Sequence, residues 1–310
     1  MLAGPRLKIR VLGSAAGGGA PQWNCGCFNC REGRRPGGRV RPRTQESIAV
    51  SADGESWFLI NVSPEIRAQI EACPDLWPKA ERHTPIAGIL LTNGDLDHCL
   101  GLLSLRESHP LVVYATDAVR AGFIEDNVLY RTLERFPGQV TWRRLELGRA
   151  QPLGGDLQVT AVATPGKLPL HLEGRRAPSP EDSVGLVISP VGDGSGRTLA
   201  YFSGVAGPSP EVERAVRDAS VVFFDGTFWS SDELIAAGLG TRRAEEMAHW
   251  PIGGPEGSLR FLGAATKSSW SFYIHVNNTN PILHEDSPER RAVEELGVKV
   301  AHDGLELNLP

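Results

Sequence analysis

The segment NGDLDH, residues 93–98, places an amide, two carboxylates and an imidazole within six residues. It follows an apolar run over 86–92 that predicts a buried strand, and a second apolar run over 100–105 predicts a helix. Side chains at the carboxyl end of a strand project into a crevice, where Asp97 and His98 can chelate a divalent metal. An Asx turn in which Asp97 caps the following helix explains the same residues without a metal.

A later histidine, His275, lies at the end of a predicted strand over 272–276. A single histidine beside a core strand is commonly structural. However, Asn277, Asn278, Asn280 and a proline follow it, and these residues end the strand abruptly. Such an ending favours a loop that faces a ligand, so both interpretations of His275 stay open.

Three of the five cysteines, Cys25, Cys27 and Cys30, stand within six residues of one another. Disulfides among them would be strained over such short loops, whereas thiolates bind zinc well. We therefore expect a reducing compartment and a structural zinc on a Cys-rich loop over 21–45. Reduced, unliganded cysteines are the alternative.

The segment over 31–43 contains six arginines among glycines and prolines. This composition does not pack well, so we expect a mobile loop there. The loop is either solvated or docks an acidic ligand or peptide.

Strands and helices that must position these residues alternate along the chain. Further strands are predicted over 7–12, 47–50, 57–61, 157–162, 184–189, 199–202 and 221–225, and further helices over 211–217, 242–249 and 289–296. The turn Asp53-Gly54 predicts a hairpin, and Ser63-Pro64 predicts a helix start with Ser63 as N-cap. We therefore predict an α/β fold with two sheets covered by helices, in a single domain over 1–310.

Composition narrows the class of protein further. The chain is 41% hydrophobic and 22% charged, which is typical of a globular protein with a sizeable core. A net charge of -5 provides no field that would recruit nucleic acid or an anionic membrane. The glycine-rich turn over 13–19 lacks the pattern of a nucleotide-binding loop. With no long apolar segment at the N-terminus or elsewhere, we expect a cytoplasmic protein without a membrane span.

The Asp-His pair, with its strand and the following apolar helix, resembles the His-x-His-x-Asp-His signature of the metallo-β-lactamase superfamily. This resemblance implies an αββα sandwich, in which two mixed sheets are flanked by helices. Asn93 and Asp95 replace the two leading histidines of the signature, while Asp97 and His98 match its last two residues. The resemblance therefore implies that one metal site is lost, and that Asp97, His98 and His275 keep the other.

Two more positions bear on the lost metal site. Gly204 stands where the superfamily has its bridging aspartate, and His171 lies where the superfamily offers another ligand for the lost site. The remaining two histidines and one carboxylate form the ligand set of non-haem Fe(II) oxygenases, which leaves positions open for substrate and O₂. We therefore expect Fe(II) at the active site, with zinc or manganese as the alternative metals.

Asp225 and His249 resemble the acidic strand end and helix histidine of the superfamily's nuclease and phosphodiesterase branches. This resemblance implies that both residues move protons or orient substrate. A cation stabilised by a helix C-terminus is the alternative for His249. In phosphodiesterase relatives a histidine completes a similar cysteine loop, and Asn278 holds the matching position here. Asn278, His302 or an exogenous ligand is therefore expected as the fourth zinc ligand.

Over essentially the whole chain, four motifs resemble the B proteins of pyrroloquinoline quinone (PQQ) biosynthesis. They are GSAAGGGAPQWNCGCFNC from residue 13, DGTFW from 225, HVNNTNP from 275 and SPER from 287. The resemblance implies a cytoplasmic enzyme acting on a PQQ precursor, in which glutamate and tyrosine of a ribosomal peptide have been crosslinked. An Fe(II)- and O₂-dependent hydroxylase of the tyrosine ring fits this implication. The residues expected to contact the amino-acid-like substrate are Asn93, Asp95, His171, Asn277 and Asn280.

Two other functions stay open on the sequence. A lone zinc or manganese that activates water would make the protein a hydrolase or phosphodiesterase, as expected from the fold alone. Alternatively, the protein is a carrier that binds PQQ or its precursor and delivers it toward the periplasm. The expected partners are the PQQ precursor and other PQQ biosynthesis proteins, and the sequence leaves a homodimer open.

Overall fold

The computed structural model describes residues 7–107, 109–125, 127–192, 197–265 and 270–309. Within these ranges the strands are β1 (Leu7–Gly13), β2 (Ser47–Ser51), β3 (Trp57–Ile60), β4 (Ile86–Leu90), β5 (Leu111–Ala115), β6 (Val140–Arg144), β7 (Ala150–Pro152), β8 (Leu157–Ala163), β9 (Val184–Pro190), β10 (Leu199–Phe202), β11 (Val221–Asp225), β12 (Trp270–Ile274), β13 (Val298–Val300) and β14 (Glu306–Leu309). The α-helices are α1 (Phe28–Arg34), α2 (Ile66–Glu71), α3 (Leu96–Cys99), α4 (Asp117–Ile124), α5 (Pro210–Arg217), α6 (Glu233–Ala236), α7 (Ser258–Ala265) and α8 (Pro288–Glu295). Short 3₁₀ helices cover Pro74–Leu76, Leu100–Leu105, Val128–Glu134, Leu170–Leu172, Glu245–Met247 and Pro281–Leu283.

Two mixed sheets form in the described part of the chain, each with seven strands. The first has the order β14-β1-β2-β3-β4-β5-β6, and the second has the order β13-β12-β11-β10-β9-β8-β7. Neighbours from β3 to β6 and from β10 to β13 run parallel, whereas the remaining neighbours are antiparallel. The parallel half of each sheet supplies the strand ends that carry the candidate site.

Alternating side chains explain why the two sheets pack face to face. In β2, Ile48 and Val50 join the core between the sheets, whereas Ala49 faces the outer side. Helices α2 and α4 cover the outer face of the first sheet, and α5, α7 and α8 cover that of the second. This layering confirms the predicted αββα sandwich.

Two predicted helices differ in the structure. The helix expected to be capped by Ser63 begins at Ile66, because the Ser63 hydroxyl is buried and donates to Oε1 of Gln69 at 3.1 Å. The helix expected over 242–249 is reduced to a 3₁₀ turn, which ends at Ala248 in the left-handed region with φ 65°. His249 therefore lies outside any helix, and the explanation of it as a helix C-terminal cation is wrong.

The arginine-rich segment is more ordered than its composition predicts. Helix α1 covers its first residues, and Asn29 and Cys30 of this helix are buried. At the other end Arg43 is also buried, and its guanidinium donates to Oγ of Ser14 at 3.0 Å and to the carbonyl of Ala301. The segment is therefore anchored at both ends, and Val40 between them is buried in the hydrophobic cluster that covers the second sheet.

Within the described residues, no helix combines the length and the apolar character that crossing a membrane requires.

Candidate metal centre and its cavity

A cavity of about 590 Å³ opens where the carboxyl ends of β4, β10, β11 and β12 meet. Crevices at such strand ends are the usual place for ligands in open α/β sheets. Its wall combines polar groups that follow these strands with the apolar side chains Leu96, Leu170, Phe228, Leu234 and Met247. The cavity therefore offers both metal-binding donors and a surface for an apolar or aromatic group.

Asp97, His98 and His275 converge at the base of this cavity. Their potential ligand atoms all lie within 4.8 Å of one another. The two histidine Nε2 atoms are 3.1 Å apart, and Oδ2 of Asp97 lies 3.2 Å from Nε2 of His275 and 3.6 Å from that of His98. Atoms that bind one ion at about 2.1 Å are themselves roughly 3 Å apart, so this spacing suits a shared metal.

The side chain of His275 is oriented by Thr227, which was not among the residues predicted from the sequence. The Thr227 hydroxyl lies 2.6 Å from Oδ1 of Asp225, to which it donates, and 2.8 Å from Nδ1 of His275. With its hydrogen directed at Asp225, the hydroxyl can accept one from Nδ1 of His275. When a metal replaces the proton on Nε2, this tautomer presents the Nε2 lone pair of His275 to the ion.

The backbone of His275 adopts the left-handed region, with φ 58°. This conformation is costly for a residue with a Cβ, and it is found where the surrounding structure holds it in place. Here the residues on either side are anchored, since the N–H of Val276 donates to the carbonyl of Ser14 and that of Asn277 donates to the carbonyl of Thr227. The turn aims the imidazole away from the strand and into the cavity.

Electrostatics at the base of the cavity favours a positive charge between the donors. Burial opposes the charge on His275, but the hydrogen bond and negative charge of Asp97 raise the pKa of His275 to about 9. Burial lowers the pKa of His98 to about 4. Burial works to raise the pKa of Asp97, yet the two histidines bring it far below its usual range. One cation is therefore stabilised here, as a metal ion would be.

Polar side chains surround Nδ1 of His98, the ring nitrogen that does not face His275. Around its Nδ1 lie Nδ2 of Asn61 at 2.8 Å, Oγ1 of Thr92 at 3.1 Å and Nδ2 of Asn93 at 3.3 Å. Asn61 in turn donates to the buried Glu46 at 3.0 Å, and burial raises the pKa of Glu46 to about 8. Of the three groups near Nδ1, the Thr92 hydroxyl can accept the hydrogen that Nδ1 carries when Nε2 binds a metal.

The buried Asp225 and the partly buried His249 form a pair beside His275, and the three residues make up another group of potential ligands. Oδ2 of Asp225 accepts from Nδ1 of His249 at 2.8 Å and from the N–H of Val205 at 3.0 Å. Burial works to raise the pKa of Asp225, but the charge and hydrogen bond of His249 lower it below its usual value. The His249 ring stacks on that of His275 at 5.4 Å between centroids. With Nδ1 engaged, Nε2 of His249 is the ring atom left for proton transfer.

The glycine-rich turn after β1 packs directly against Asp97. A Cβ at Gly17 would lie 3.1 Å from Oδ2 of Asp97, so a side chain there would crowd the carboxylate. The neighbouring Ala15 forms bridges with both Gln45 and Val276, which links the first sheet to the strand end that carries His275. This turn therefore requires glycine for close approach to the site.

The three cysteines form a second cluster of potential ligands. Their sulfurs lie within 4.8 Å of one another. Nδ2 of Asn278 is 3.3 Å from the sulfur of Cys30 and 3.6 Å from that of Cys27. A 180° turn of this amide would present Oδ1 instead, so Asn278 is placed to complete a tetrahedral site. Among the described residues the cluster does not include His302, whose Nδ1 instead contacts the carbonyl of Asp303 at 3.0 Å.

Four of the five predicted substrate contacts line the cavity, namely Asn93, Asp95, His171 and Asn277. His171 does not join the metal-ligand groups of the described residues, because its Nε2 lies 2.9 Å from the carbonyl of Gly122. The fifth, Asn280, is fully buried, donates to the carbonyl of Gly226 at 2.9 Å and accepts from the N–H of Ile282. The prediction that Asn280 contacts substrate is therefore wrong.

Sequence reasoning missed four other polar residues that line the cavity: Lys167, Ser183, Ser203 and Arg242. Lys167 follows a Pro-Gly turn, and Ser203 directly precedes Gly204 at the end of β10. Polar residues just after a strand or a Pro-Gly turn are a usable signal, but this signal does not say which loops meet in space.

Comparison with known proteins agrees with the fold. A family model described as a β-lactamase superfamily domain matches residues 56–275. The chain therefore belongs to the β-lactamase superfamily. A diphosphatase of the PhnP family shares the fold at a TM-score of 0.66 and 19% identity, over 98% of this chain and 97% of that one.

Relatives within the superfamily are much more similar. Coenzyme PQQ synthesis protein B of Methylorubrum extorquens is 44% identical over 98% of this chain and 100% of that protein. Its counterpart in Rhizobium meliloti is 43% identical over 98% of each. The crystal structure of Zn²⁺-bound PqqB from Methylobacterium extorquens matches at a TM-score of 0.90 and 42% identity, over 97% of this chain and 99% of that one. The chain is a member of the coenzyme PQQ synthesis protein B family.

Proposed function

We propose that this protein is a metal-dependent enzyme of PQQ synthesis that hydroxylates the tyrosine ring of a crosslinked glutamate–tyrosine intermediate. The role in PQQ synthesis is supported by two relatives named coenzyme PQQ synthesis protein B. They are 43–44% identical to this chain over 98–100% of their own length. The observation that supports oxygenase chemistry is the convergence of two imidazoles and one carboxylate, from His98, His275 and Asp97. This ligand set is that of non-haem Fe(II) oxygenases.

Several features of the site suit a metal at these three residues. The donor atoms face one another, Thr227 leaves Nε2 of His275 free to bind, and a positive charge is favoured between them. When bound, Fe(II) would supply O₂ binding and electron transfer at positions that the protein ligands leave open. In the overall reaction one oxygen atom enters the ring and the other leaves as water, with two electrons from an external reductant.

The chain's own residues would bind the substrate and move its protons. Phe228, Leu96 and Leu170 give the cavity an apolar wall for the tyrosine ring. His249, held through Nδ1 by Asp225, would accept the phenolic proton at Nε2 and return a proton later. Asp225 keeps the ring oriented and stabilises its charged form.

We propose further that Cys25, Cys27 and Cys30 hold a structural zinc, with Asn278 or an exogenous ligand in the fourth position. Burial raises the pKa of the Cys30 thiol to about 11, so a thiolate there at neutral pH needs an adjacent cation. The related Methylobacterium extorquens protein has been crystallised with Zn²⁺ bound.

The test begins with protein purified without oxygen and reconstituted with Fe(II). The crosslinked dipeptide is added with ascorbate, and O₂ uptake and product mass are followed. We expect iron-dependent uptake and a product one oxygen atom heavier. Asp97→Ala should lose both the active-site iron and the uptake but keep the cysteine-bound zinc, whereas Asp95→Asn should keep the iron.

Two results would favour the other functions. Tight binding of the dipeptide or of PQQ, independent of iron and without uptake, would replace the hydroxylase with a carrier. Turnover of a phosphodiester or amide by the zinc- or manganese-loaded protein would replace it with a hydrolase.

A further inference from the structure

We propose that the recess bounded by Ser203, Gly204 and Lys167 is a subsite for a carboxylate group of the substrate. The inference deepens the proposed function, on which it rests for the identity of the substrate. It concerns the half of the cavity in which this chain lacks the superfamily's first metal ligands.

The recess is built from four segments that contact one another. The loop carrying Lys167 is joined to the end of β10 by a hydrogen bond from the N–H of Ala206 to the carbonyl of Pro165, at 2.7 Å. It also packs on the first sheet, since a Cβ at Gly94 would lie 3.1 Å from Pro169. Asn93 pairs with Ser183 across the gap between the two sheets. These contacts join the segments into one continuous wall around the recess.

Ser203 supplies an unpartnered hydrogen-bond donor in this wall. Its side chain is 2% exposed, its Oγ has no hydrogen-bond partner among the described residues, and the residue lines the cavity. A buried hydroxyl without a partner costs folding free energy, on the order of 1–3 kcal/mol. Such groups are commonly satisfied by a ligand or an ordered water.

Gly204 leaves room beside this hydroxyl. A Cβ placed there would meet nothing within 4 Å. The superfamily has a carboxylate at this position, as the resemblance implied, and here that carboxylate is missing. A carboxylate from the substrate would therefore restore a negative charge at the end of β10.

Lys167 provides the positive charge for such a group. Its ammonium forms a long ion pair with Oδ2 of Asp95 at 3.9 Å, beyond hydrogen-bond distance, and its side chain is 29% exposed. The other Lys or Arg among the described residues lining the cavity, Arg242, is half exposed and pairs with Glu173 at 3.5 Å. An entering carboxylate would receive both the charge of Lys167 and the Ser203 hydrogen bond.

The test measures binding without turnover. Zn²⁺-loaded protein is titrated anaerobically with the crosslinked dipeptide, and with analogues in which each carboxylate in turn is replaced by a carboxamide. Ser203→Ala and Lys167→Met should each weaken dipeptide binding about 10-fold or more, since hydrogen bonds to charged groups are among the stronger ones. One carboxamide analogue should bind wild type and Lys167→Met with equal affinity.

Matched controls separate this effect from loss of structure. Ser271→Ala removes another buried hydroxyl without a partner, located on β12 and away from the cavity lining, and Lys79→Met removes an exposed lysine. Both should bind the dipeptide like wild type. Metal content and melting temperature are measured for every variant.

Dipeptide binding that is unchanged in both Ser203→Ala and Lys167→Met, or absent from wild type, would overturn the subsite. Weaker binding in these variants together with no O₂ uptake by the Fe(II) form would keep the subsite and reject the hydroxylase. Normal O₂ uptake and a normal KM in Ser203→Ala and Lys167→Met would keep the hydroxylase and reject the subsite.

Discussion

His275 and Asn278 lie on one loop, three residues apart, and face two different clusters of potential metal ligands. His275 Nε2 is 3.1 Å from Nε2 of His98, while Nδ2 of Asn278 is 3.3 Å from the sulfur of Cys30. The same loop is fastened from the cysteine side, because Nδ2 of Asn29 donates to the carbonyls of Asn278 and Asn280 at 3.1 and 2.9 Å. Because the two clusters share this loop, we expect a disturbed cysteine cluster to displace His275 as well.

Replacing Cys30 should disturb both metal centres. We expect Cys30→Ala to lose the cysteine-bound zinc and also to bind active-site iron several-fold more weakly, because the shared loop loses its anchor. Elemental analysis and Fe(II) titration measure the two effects. Cys73→Ala, a buried cysteine in a separate hydrophobic cluster, serves as the control and should keep both metals. Full zinc content in Cys30→Ala would contradict the assignment.

A methyl group at Gly17 should act on Asp97 without touching any other predicted ligand. Because the added Cβ would lie 3.1 Å from Oδ2 of Asp97, we expect Gly17→Ala to weaken Fe(II) binding by about 10-fold. Gly207→Ala is the matched control, since a Cβ there meets nothing within 4 Å. Equal iron affinity in the two variants would show that the carboxylate can move aside freely.

Loss of the His249 imidazole should affect turnover more than metal binding. Because His249 is proposed to carry the proton and does not belong to the group formed by Asp97, His98 and His275, we expect His249→Gln to keep iron while kcat falls about 100-fold. The exposed His83 supplies the control, and His83→Gln should retain the wild-type kcat. A variant at His249 with unchanged kcat and an unchanged pH profile would remove this residue from the mechanism.

Glu233 should make stability depend on pH. Burial raises its pKa from 4.5 to about 7, while its carboxylate accepts from Thr279 and from the N–H of Trp229. The folded state therefore holds a proton that the unfolded chain releases, and the free energy of unfolding should fall as pH rises from about 5 to about 7.

Glu233→Gln should remove this contribution, because glutamine resembles the protonated acid at every pH. Denaturant unfolding of both proteins at pH 5, 6, 7 and 8 measures the difference. The stability of wild type relative to the variant should decline from pH 5 to about pH 7 and level off above it. A difference that stays constant with pH would show that Glu233 is ionised equally in the folded and unfolded states.

The sequence predicted the local part of the site better than its long-range part. Asp97 and His98 are neighbours after an apolar strand, so their placement at a strand end follows from residue pattern alone. His275 joins them across 178 positions, and only resemblance to a family indicated that contact. Ser203 and Lys167 could not be selected, because their importance arises only where the ends of β10 and the loop after β8 meet.

Two predictions were wrong because the residue types on which they rested are compatible with more than one local structure. Asn280 was expected to bind substrate because asparagine is common in ligand-facing loops, yet here its amide caps the 3₁₀ helix that begins at Pro281. Similarly, the apolar and charged pattern over 242–249 suits a helix, but Ala248 turns into the left-handed region and Pro251 follows. Local propensity was overridden by tertiary hydrogen bonds such as that from Trp250 N–H to the carbonyl of Val205.

Asp97 and His98 follow a strand of the first sheet, whereas His275 follows a strand of the second. An ion held by all three would clamp the two sheets together, and binding only to the folded chain adds RT ln(1 + [metal]/Kd) to its stability. In a cell, protein lacking this ion would unfold more often and be exposed to proteases. Supply of the metal would then set how long each molecule survives, so that scarcity lowers the abundance of the protein as well as its activity.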